Sequence, residues 1–335
     1  MESSAVFSSD WEISMAGSGK QGTIIRQHLA HYIVSTGEEE TTCAMSSRLR
    51  KNLQYPEASS GSRRKRVESV KRMRVTDVVA IGDRVIFDPG EGGGGMITEV
   101  LPRKNLISRT SSGSSRIRQV MGANIDQTIP VFSADDPSPD WKLLDRMLAI
   151  SIWQEIPAVI CMNKMDLSSG DELAQRLKVY ENIGYKVVCT SIVTDQGKAE
   201  FNELLKNRTS LFMGPSGVGK SSLLNWQQPG LQIRTGEVSP ITGEGRHTTT
   251  HTELVELEAG GFVGDLPGVR EFNLWGMEPE DIPGLFVEFL DLEGECKFRN
   301  CSHIHEPSCI VHQAVENGSV DPERYQSYIQ LRQGT

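Results

Sequence analysis

The stretch GPSGVGKSS at residues 214–222 decides the fold, because it has the form of a phosphate-binding loop. From Gly214 to Ser221 it matches the pattern G-x-x-x-x-G-K-[ST], between the apolar run TSLFM and the helical pattern SSLLNWQ. Its glycines let backbone N–H groups converge on phosphate oxygens, and the helix N-terminus that follows favours negative charge. Lys220 can reach the β- and γ-phosphates, and the Ser221 hydroxyl can join Mg²⁺. The predicted phosphate contacts are Gly214, Pro215, Ser216, Gly217, Val218, Gly219, Lys220, Ser221 and Ser222. The alternative interpretation of this stretch is a glycine-rich turn that matches the pattern by chance.

A second motif, NKMD at residues 163–166, follows the apolar run IPAVICM. In this pattern the aspartate, here Asp166, accepts hydrogen bonds from N1–H and the 2-amino group of guanine, a pair of donors that adenine does not offer there. The tripeptide CTS at residues 189–191 resembles the companion loop that meets guanine O6 with backbone amides. Together with the phosphate loop, these motifs indicate GTP rather than ATP. The predicted base-site residues are Asn163, Lys164, Met165, Asp166, Cys189, Thr190 and Ser191.

Phosphate sensing is predicted for GDLPG at residues 264–268, which follows a strand-like run. Asp265 would hold Mg²⁺ through water, and the Gly268 N–H would contact the γ-phosphate. An Asp-x-x-Gly sequence is common in turns, so the motif gains weight only from the phosphate loop upstream.

A switch is predicted for GRHTTTHTEL at residues 245–254, between those two motifs. Thr249 is the candidate Mg²⁺ contact, with Thr250 as the alternative. Val269 stands where many GTPases place a glutamine that orients the attacking water, so His247 is the candidate catalytic residue. The competing interpretation makes His247 an ordinary surface residue of the switch.

The motif order is inverted, because the base-reading residues precede the phosphate loop. A site built from strand ends does not depend on chain order, so we expect a circularly permuted GTPase. Strand and helix patterns alternate from about residue 120 to 275, which predicts a mostly parallel sheet covered by helices.

The sequence divides the chain into four predicted parts. They are a disordered tail at 1–17, a β-barrel at 18–112, the GTPase at 113–275 and a zinc-binding helical domain at 276–335.

The front of the chain predicts a small β-barrel, since short strand-like runs alternate with glycine-rich turns. An OB-fold is favoured over another small β-domain. Within it, SRRKRVESVKRMR at residues 62–74 carries seven basic residues and one acid, which suits either phosphate contacts with RNA or a solvated loop. The candidate RNA contacts are Arg63, Arg64, Lys65, Arg66, Lys71, Arg72 and Arg74.

Charge is distributed unevenly along the 335 residues, whose net charge is −9. Residues 1–130 carry 18 Lys and Arg against 14 Asp and Glu, whereas the remainder carries 17 against 30. A basic front and an acidic back permit an RNA-facing front domain. No apolar run is long enough to suggest a membrane helix, and the N-terminus lacks a secretory signal pattern.

Three of the six cysteines fall in CKFRNCSHIHEPSC, residues 296–309. Three thiolates and one imidazole complete a tetrahedral zinc site with no open position, which indicates one structural Zn²⁺ in a reducing compartment. Cys296, Cys301 and Cys309 supply the thiolates, and His303 competes with His305 for the fourth position. The alternative is a set of free buried thiols.

A basic barrel, a permuted GTPase and a Cys-x4-Cys-x-His-x5-Cys site, in that order, resemble the ribosome small-subunit-dependent GTPase A family. The segments that carry the resemblance are AIGDRVIF, ANIDQ, LLDRML, NKMDL, GPSGVGKSSLLN, GEGRHTTTH, GDLPGVREF, CKFRNCSH and ERYQSY. It covers nearly the whole chain after the tail. It departs from the family at Leu266, where a serine is usual, and in the segment that begins at Trp226.

The resemblance implies a cytoplasmic factor in late maturation of the small (30S) ribosomal subunit, with 16S-type rRNA as partner and hydrolysis of GTP to GDP and phosphate stimulated by the subunit. It implies Mg²⁺ with GTP, favours His303 over His305 as the zinc ligand, and makes His247 the proposed catalytic residue. We expect a monomer and no membrane partner. Two alternatives remain: a nucleotide-gated RNA-binding module whose hydrolysis is incidental, and a permuted GTPase with a non-ribosomal target.

Overall fold

The structure, a computed structural model, describes most of the chain. The described residues are 19–28, 30–52, 78–90, 92–111, 114–168, 170–231, 253–266, 277–292 and 294–334. Among the sequence predictions, the tail, the basic segment 62–74, His247, Thr249 and Gly268 lie outside these residues.

Five strands close the N-terminal barrel. They are β1 (Lys20–His28), β2 (His31–Ser35), β3 (Glu40–Met45), β4 (Arg84–Pro89) and β5 (Gly94–Val100), and helix α1 (Ser47–Asn52) follows β3. The strand order is β1-β2-β3-β5-β4, and the β1–β4 pair closes the ring. Neighbouring strands are antiparallel except β3 and β5. Alternate side chains such as Val34, Val85, Phe87 and Ile97 are fully buried inside, as the period of two requires. The predicted barrel of OB type is thereby confirmed.

A separate hairpin links the barrel to the next domain. Strands β6 (Leu106–Ser111) and β7 (Ser114–Ala123) pair only with each other among the described strands. The predicted domain boundary between residues 112 and 113 falls between these two strands, outside the described residues. That boundary, like the others, stays a prediction.

A six-stranded sheet forms the centre of the chain. Its strands are β8 (Gln127–Ser133), β9 (Val159–Asn163), β10 (Lys186–Cys189), β11 (Arg208–Met213), β12 (Leu254–Glu256) and β13 (Gly261–Asp265), and its helices are α2 (Trp141–Trp153), α3 (Glu172–Asn182), α4 (Lys198–Leu205) and α5 (Lys220–Gln227). The order is β10-β9-β8-β11-β13-β12, and all neighbours are parallel except β12 and β13.

This strand order explains how the inverted motifs meet. Strand β11, which leads into the phosphate loop, lies between β8 and β13. Strands β9 and β10, which lead into the predicted base-reading residues, are on one side of it, and β13 with Asp265 is on the other. Because the carboxyl ends of parallel strands share one edge of the sheet, the motifs converge there whatever their order along the chain.

The C-terminal region packs around a small aromatic core. It contains a 3₁₀ segment (Pro279–Leu285) and helices α6 (Val287–Leu290), α7 (Ile310–Glu316) and α8 (Pro322–Gln333). Asp321 caps α8 by accepting hydrogen bonds from two backbone N–H groups of its first turn. Phe286, Phe289 and Tyr328 make mutual ring contacts at centroid distances of 4.9–5.5 Å.

Buried charges attach α8 to the central domain. The Arg324 guanidinium donates to Asp145 Oδ1 of α2 at 2.6 Å and to both carboxylate oxygens of Glu288. Tyr180 of α3 donates to the same Asp145 oxygen at 2.9 Å. The Arg324 and Asp145 side chains are both 1% exposed. A buried guanidinium is tolerated only with such pairing, so this network fixes where α8 sits.

The barrel touches the far edge of the same sheet. Ser35 Oγ of β2 donates to Glu256 Oε2 of β12 at 2.6 Å, and Arg26 Nε lies 3.4 Å from Glu253 Oε1. The contacts place the barrel beside β12, which follows the predicted switch in sequence. No helix in the described ranges is long and apolar enough to cross a membrane.

Candidate nucleotide site and metal centre

The phosphate loop connects β11 to α5 and depends on two glycines that pack against other strands. Gly214 has φ +152°, and a Cβ there would lie 2.3 Å from the Val131 carbonyl oxygen. Gly219 has φ +94°, and a Cβ there would lie 2.4 Å from Asn163 Nδ2. Both the left-handed backbone and the close approaches exclude any side chain. The loop therefore sits directly on β8 and on the base-reading motif.

The Lys220 ammonium folds back over this loop. It donates to the carbonyl oxygens of Gly214 at 2.9 Å and Pro215 at 3.2 Å. Asp265 lies at the end of β13. Burial raises the pKa of its carboxyl, and the positive charge of Lys220 offsets part of this increase. A lysine and an acid beside a glycine-rich loop suit a phosphate chain and its Mg²⁺.

Asn163 joins the base-reading motif to the phosphate loop. Its Nδ2 donates to the Val218 carbonyl oxygen at 2.9 Å, and its Oδ1 accepts from the Thr190 hydroxyl at 3.1 Å. Asn163 and Thr190 are buried. One side chain thus holds three loops together, from 163–166, 189–191 and 214–222. Because Nδ2 must donate and Oδ1 must accept, these two hydrogen bonds also fix the orientation of the Asn163 amide.

Asp166 and Lys164 have separate partners. The Ser191 hydroxyl donates to Asp166 Oδ1 at 2.5 Å, which leaves acceptor capacity on the carboxylate for the two guanine donors. Lys164, with φ +56°, donates to the Asp136 carbonyl oxygen at 2.5 Å. No sequence motif predicts the Asp136 contact, because it joins the loop after β8 to the loop after β9.

The structure brings together every predicted nucleotide-site residue that it describes. Those in the phosphate loop, in residues 163–166 and 189–191, and Asp265 all lie at the carboxyl edge of the sheet. The roles assigned to them remain predictions, as do those of His247, Thr249, Gly268 and the seven basic residues of segment 62–74, which lie outside the described ranges.

Cys296, Cys301, His303 and Cys309 form a compact cluster in the C-terminal region. Their ligand atoms all lie within 4.8 Å of one another. Cys296 Sγ is 3.9 Å from Cys309 Sγ and 3.6 Å from His303 Nδ1, which is 3.3 Å from Cys309 Sγ. Zn–S bonds of about 2.3 Å and Zn–N bonds of about 2.0 Å give tetrahedral edges close to these values. The donor set therefore fits one tetrahedral metal ion, and His303, not His305, belongs to it.

Neighbouring groups hold the backbone of this cluster. The His303 carbonyl oxygen accepts from Tyr325 Oη at 2.7 Å and from His312 Nε2 at 3.0 Å. The Ser302 carbonyl oxygen accepts from Tyr328 Oη at 2.5 Å. Because both tyrosines belong to α8, the metal loop and the docked helix support each other.

The family follows from comparison with known proteins. The model of the RsgA GTPase family matches residues 100–275. The chain belongs to the RsgA GTPase family. A protein of Actinobacillus pleuropneumoniae named small ribosomal subunit biogenesis GTPase RsgA is 37% identical over 96% of this chain and 87% of the relative. One of the same name from Moorella thermoacetica is 39% identical over 92% of this chain and 95% of the relative.

Solved structures agree with this family assignment. The crystal structure of YjeQ from Thermotoga maritima has 32% identity and a TM-score of 0.71 over 94% of this chain and 98% of that chain. YloQ, described as a circularly permuted GTPase, has 28% identity and a TM-score of 0.67 over 94% of both chains. The predicted resemblance, fold class and GTPase assignment are confirmed.

Replacing Asp265 by asparagine should separate stability from activity. Because burial raises the pKa of this carboxyl in the folded protein, its ionised form is disfavoured there, and stability is lost as pH rises from the unfolded-state pKa toward the folded-state pKa. At pH 7 Asp265→Asn should therefore raise the Tm of the nucleotide-free protein by about 2 °C. It should lower Mg²⁺-dependent GTP hydrolysis at least about tenfold. Thermal unfolding and steady-state hydrolysis measure the two effects, and a lower Tm without nucleotide would contradict the argument.

Proposed function

We propose that this chain is a GTPase acting in biogenesis of the small (30S) ribosomal subunit. The observation that carries the nucleotide part is the Asn163–Val218 hydrogen bond, which unites the guanine motif with the phosphate loop. The ribosomal part is supported by the names of relatives that match over most of their length. Because the relatives are named for ribosome biogenesis, we propose that this protein acts in the cytoplasm, and that it acts as a monomer.

The proposed mechanism hydrolyses the terminal phosphoanhydride bond of GTP to give GDP and phosphate. Backbone N–H groups of the phosphate loop and the Lys220 ammonium bind the phosphates, and Asp166 binds the guanine edge. Ser221 and Asp265 would hold Mg²⁺ directly and through water, with Thr249 as a further contact. Mg²⁺, when bound, neutralises charge on the phosphates.

Water activation is assigned to His247, and sensing of the γ-phosphate to Gly268. Val269 cannot orient a water by hydrogen bonding, so the free enzyme should be slow. The small subunit would then accelerate hydrolysis by ordering the switch around His247.

Subunit binding is assigned to the barrel and the basic segment 62–74, through phosphates of 16S-type rRNA. A closed barrel of OB type supports this, because such barrels present a face and loops to nucleic acids. The excess of basic residues in the first 130 residues supports it electrostatically. The C-terminal cluster would bind one Zn²⁺ as a structural ion, because three thiolates and an imidazole fill its tetrahedron.

Hydrolysis with and without purified small subunits tests the proposal. We expect stimulation that is specific to GTP, with ATP as the control nucleotide, and weaker at the higher of two salt concentrations. The His247→Ala variant should lose stimulated turnover while it still binds GTP. GTP binding without any stimulation would leave the nucleotide site in place and overturn the ribosomal assignment.

The basic segment gives a prediction of its own. Arg63→Gln combined with Arg64→Gln should weaken subunit binding several-fold at about 0.1 M salt and reduce the slope of log K against log salt by up to about 2. Binding is measured by sedimentation with the subunit over a salt series. Lys142→Gln with Lys178→Gln removes the same charge from α2 and α3 and should leave the slope unchanged. Equal slopes in both variants would assign the segment to solvent.

A further inference from the structure

Residues 191–197, here called the base turn, carry the serine that contacts Asp166. The turn is closed by the Ser191 N–H, which donates to the Gln196 carbonyl oxygen at 3.1 Å. Ser191 Oγ accepts from the Thr194 N–H at 3.3 Å and donates to Asp166 Oδ1 at 2.5 Å. The position of the base turn therefore sets the hydroxyl that orients the Asp166 carboxylate.

Trp226 holds the outer part of this turn. Its indole Nε1–H donates to Asp195 Oδ1 at 2.9 Å. The ring lies 6.5 Å, centroid to centroid, from Phe201, which is fully buried, and Lys198 Nζ lies 5.2 Å from the indole centroid. A ring fixed on one side by a core phenylalanine gives its N–H a defined direction. The hydrogen bond thus joins this surface turn to a ring that packs on the core.

The helix that carries Trp226 also carries the phosphate loop. α5 begins at Lys220 and ends at Gln227, so Trp226 lies in its last turn. Asp195 has φ +55°, a left-handed conformation that its short polar side chain tolerates. The indole therefore links the base turn to the element whose first residues bind phosphate, by a route separate from the Asn163 contact.

We propose that Trp226 is a positioning residue for guanine recognition: it holds the base turn, and through Ser191 it keeps Asp166 aligned with the guanine edge. The inference rests on the proposed function of Asp166 as the guanine reader. Within the described ranges, the hydrogen bond and ring contacts of Trp226 are with Asp195, Phe201 and Lys198. Its effect should therefore appear in base discrimination and not in phosphate binding.

Affinities for GDP and inosine diphosphate test this proposal, because inosine lacks the 2-amino group that Asp166 would accept from. Wild type should bind GDP more tightly than inosine diphosphate. Trp226→Phe keeps a ring on Phe201 and removes the N–H donor. It should therefore weaken the binding of GDP by about two- to fivefold and weaken the binding of inosine diphosphate less. The affinity ratio of the two nucleotides should therefore fall, with affinity for inorganic pyrophosphate unchanged.

Two further variants act as controls. Asp195→Asn keeps an oxygen acceptor and tolerates the left-handed backbone, so it should retain the wild-type ratio. Trp153→Phe makes the same change at a half-buried tryptophan of α2 that packs on the C-terminal core, and it should also leave the ratio unaltered.

The possible outcomes distinguish a wrong assignment of Asp166 from a wrong role for Trp226. A wild-type ratio near one would overturn the assignment of Asp166, and the positioning role with it. A clear wild-type preference for GDP that Trp226→Phe leaves intact would overturn the positioning role alone. Equal losses for both nucleotides and pyrophosphate would show that Trp226 supports α5 as a whole, which also contradicts the proposal.

Discussion

Asp166→Asn is expected to lower affinity for GTP by about 100- to 1,000-fold. The carboxylate would accept two guanine donors, and hydrogen bonds to a charged group are worth about 1.5–3 kcal/mol each. An asparagine in its place keeps one acceptor oxygen and presents an N–H group to the 2-amino group of guanine. The Ser191 hydroxyl can still donate to the remaining oxygen, so the loop itself should keep its conformation.

The same substitution should improve binding of xanthosine triphosphate. Xanthine has a carbonyl oxygen where guanine has the 2-amino group, and it retains N1–H, so it matches one donor and one acceptor on asparagine. Equilibrium titration with GTP, xanthosine triphosphate and ATP measures the change in preference.

Asp171→Asn provides the matched control, because it makes the same chemical change at an exposed residue before α3 and should alter none of the three affinities. Retention of a GTP preference by Asp166→Asn would contradict the assigned base-reading role. A loss of affinity for all three nucleotides alike would point to a distorted loop.

Local patterns in the sequence predict most of the architecture. The alternation in GTIIRQHLAHYIVST and the apolar runs before each motif correspond to strands β1, β2, β8, β9 and β11. The phosphate loop and NKMD are defined by short-range chemistry, so their position at strand ends follows from the pattern. Convergence of the inverted motifs was also predictable, because it depends only on the strand edge they share.

Contacts between distant residues were not predictable in the same way. Arg324 lies in ERYQSY, a polar segment in which an arginine would be predicted to be exposed. In the structure it is buried against Asp145, 179 positions away. Nothing in the local pattern shows that α2 and α8 meet. The Trp226–Asp195 bond and the Lys164–Asp136 bond are likewise products of the packed fold.

The choice between His303 and His305 as the fourth metal ligand could not be made from the spacing of the residues. Spacing alone allowed either imidazole to complete the cluster, and the family resemblance favoured His303. In the structure His303 Nδ1 lies 3.3–3.6 Å from two thiol sulfurs, and its backbone is held by Tyr325. Tyr325 and Tyr328 of α8 donate to the carbonyl oxygens of His303 and Ser302, so part of the support for this geometry comes from outside residues 296–309.

Metal removal is expected to unfold residues 294–316 while the nucleotide site survives. A structural zinc ion contributes about 10–16 kcal/mol of apparent binding energy in small zinc-dependent units. His303→Ala should reduce bound zinc from one ion per chain to near zero. His305→Ala, which alters an exposed imidazole outside the cluster, should keep one ion.

Hydrogen exchange locates the consequence of metal loss. Protection should fall in residues 294–316, and it should fall less in α8, because Arg324 and the Asp321–Arg176 pair hold that helix independently of the metal. GDP affinity should change by less than about twofold, since the predicted base and phosphate contacts involve no residue of the C-terminal region. Unchanged exchange after chelation would show that the loop folds without metal. A large loss of GDP affinity would instead show that α8 transmits the order of the metal loop through Asp145 to α2, and so to the loop that holds Lys164.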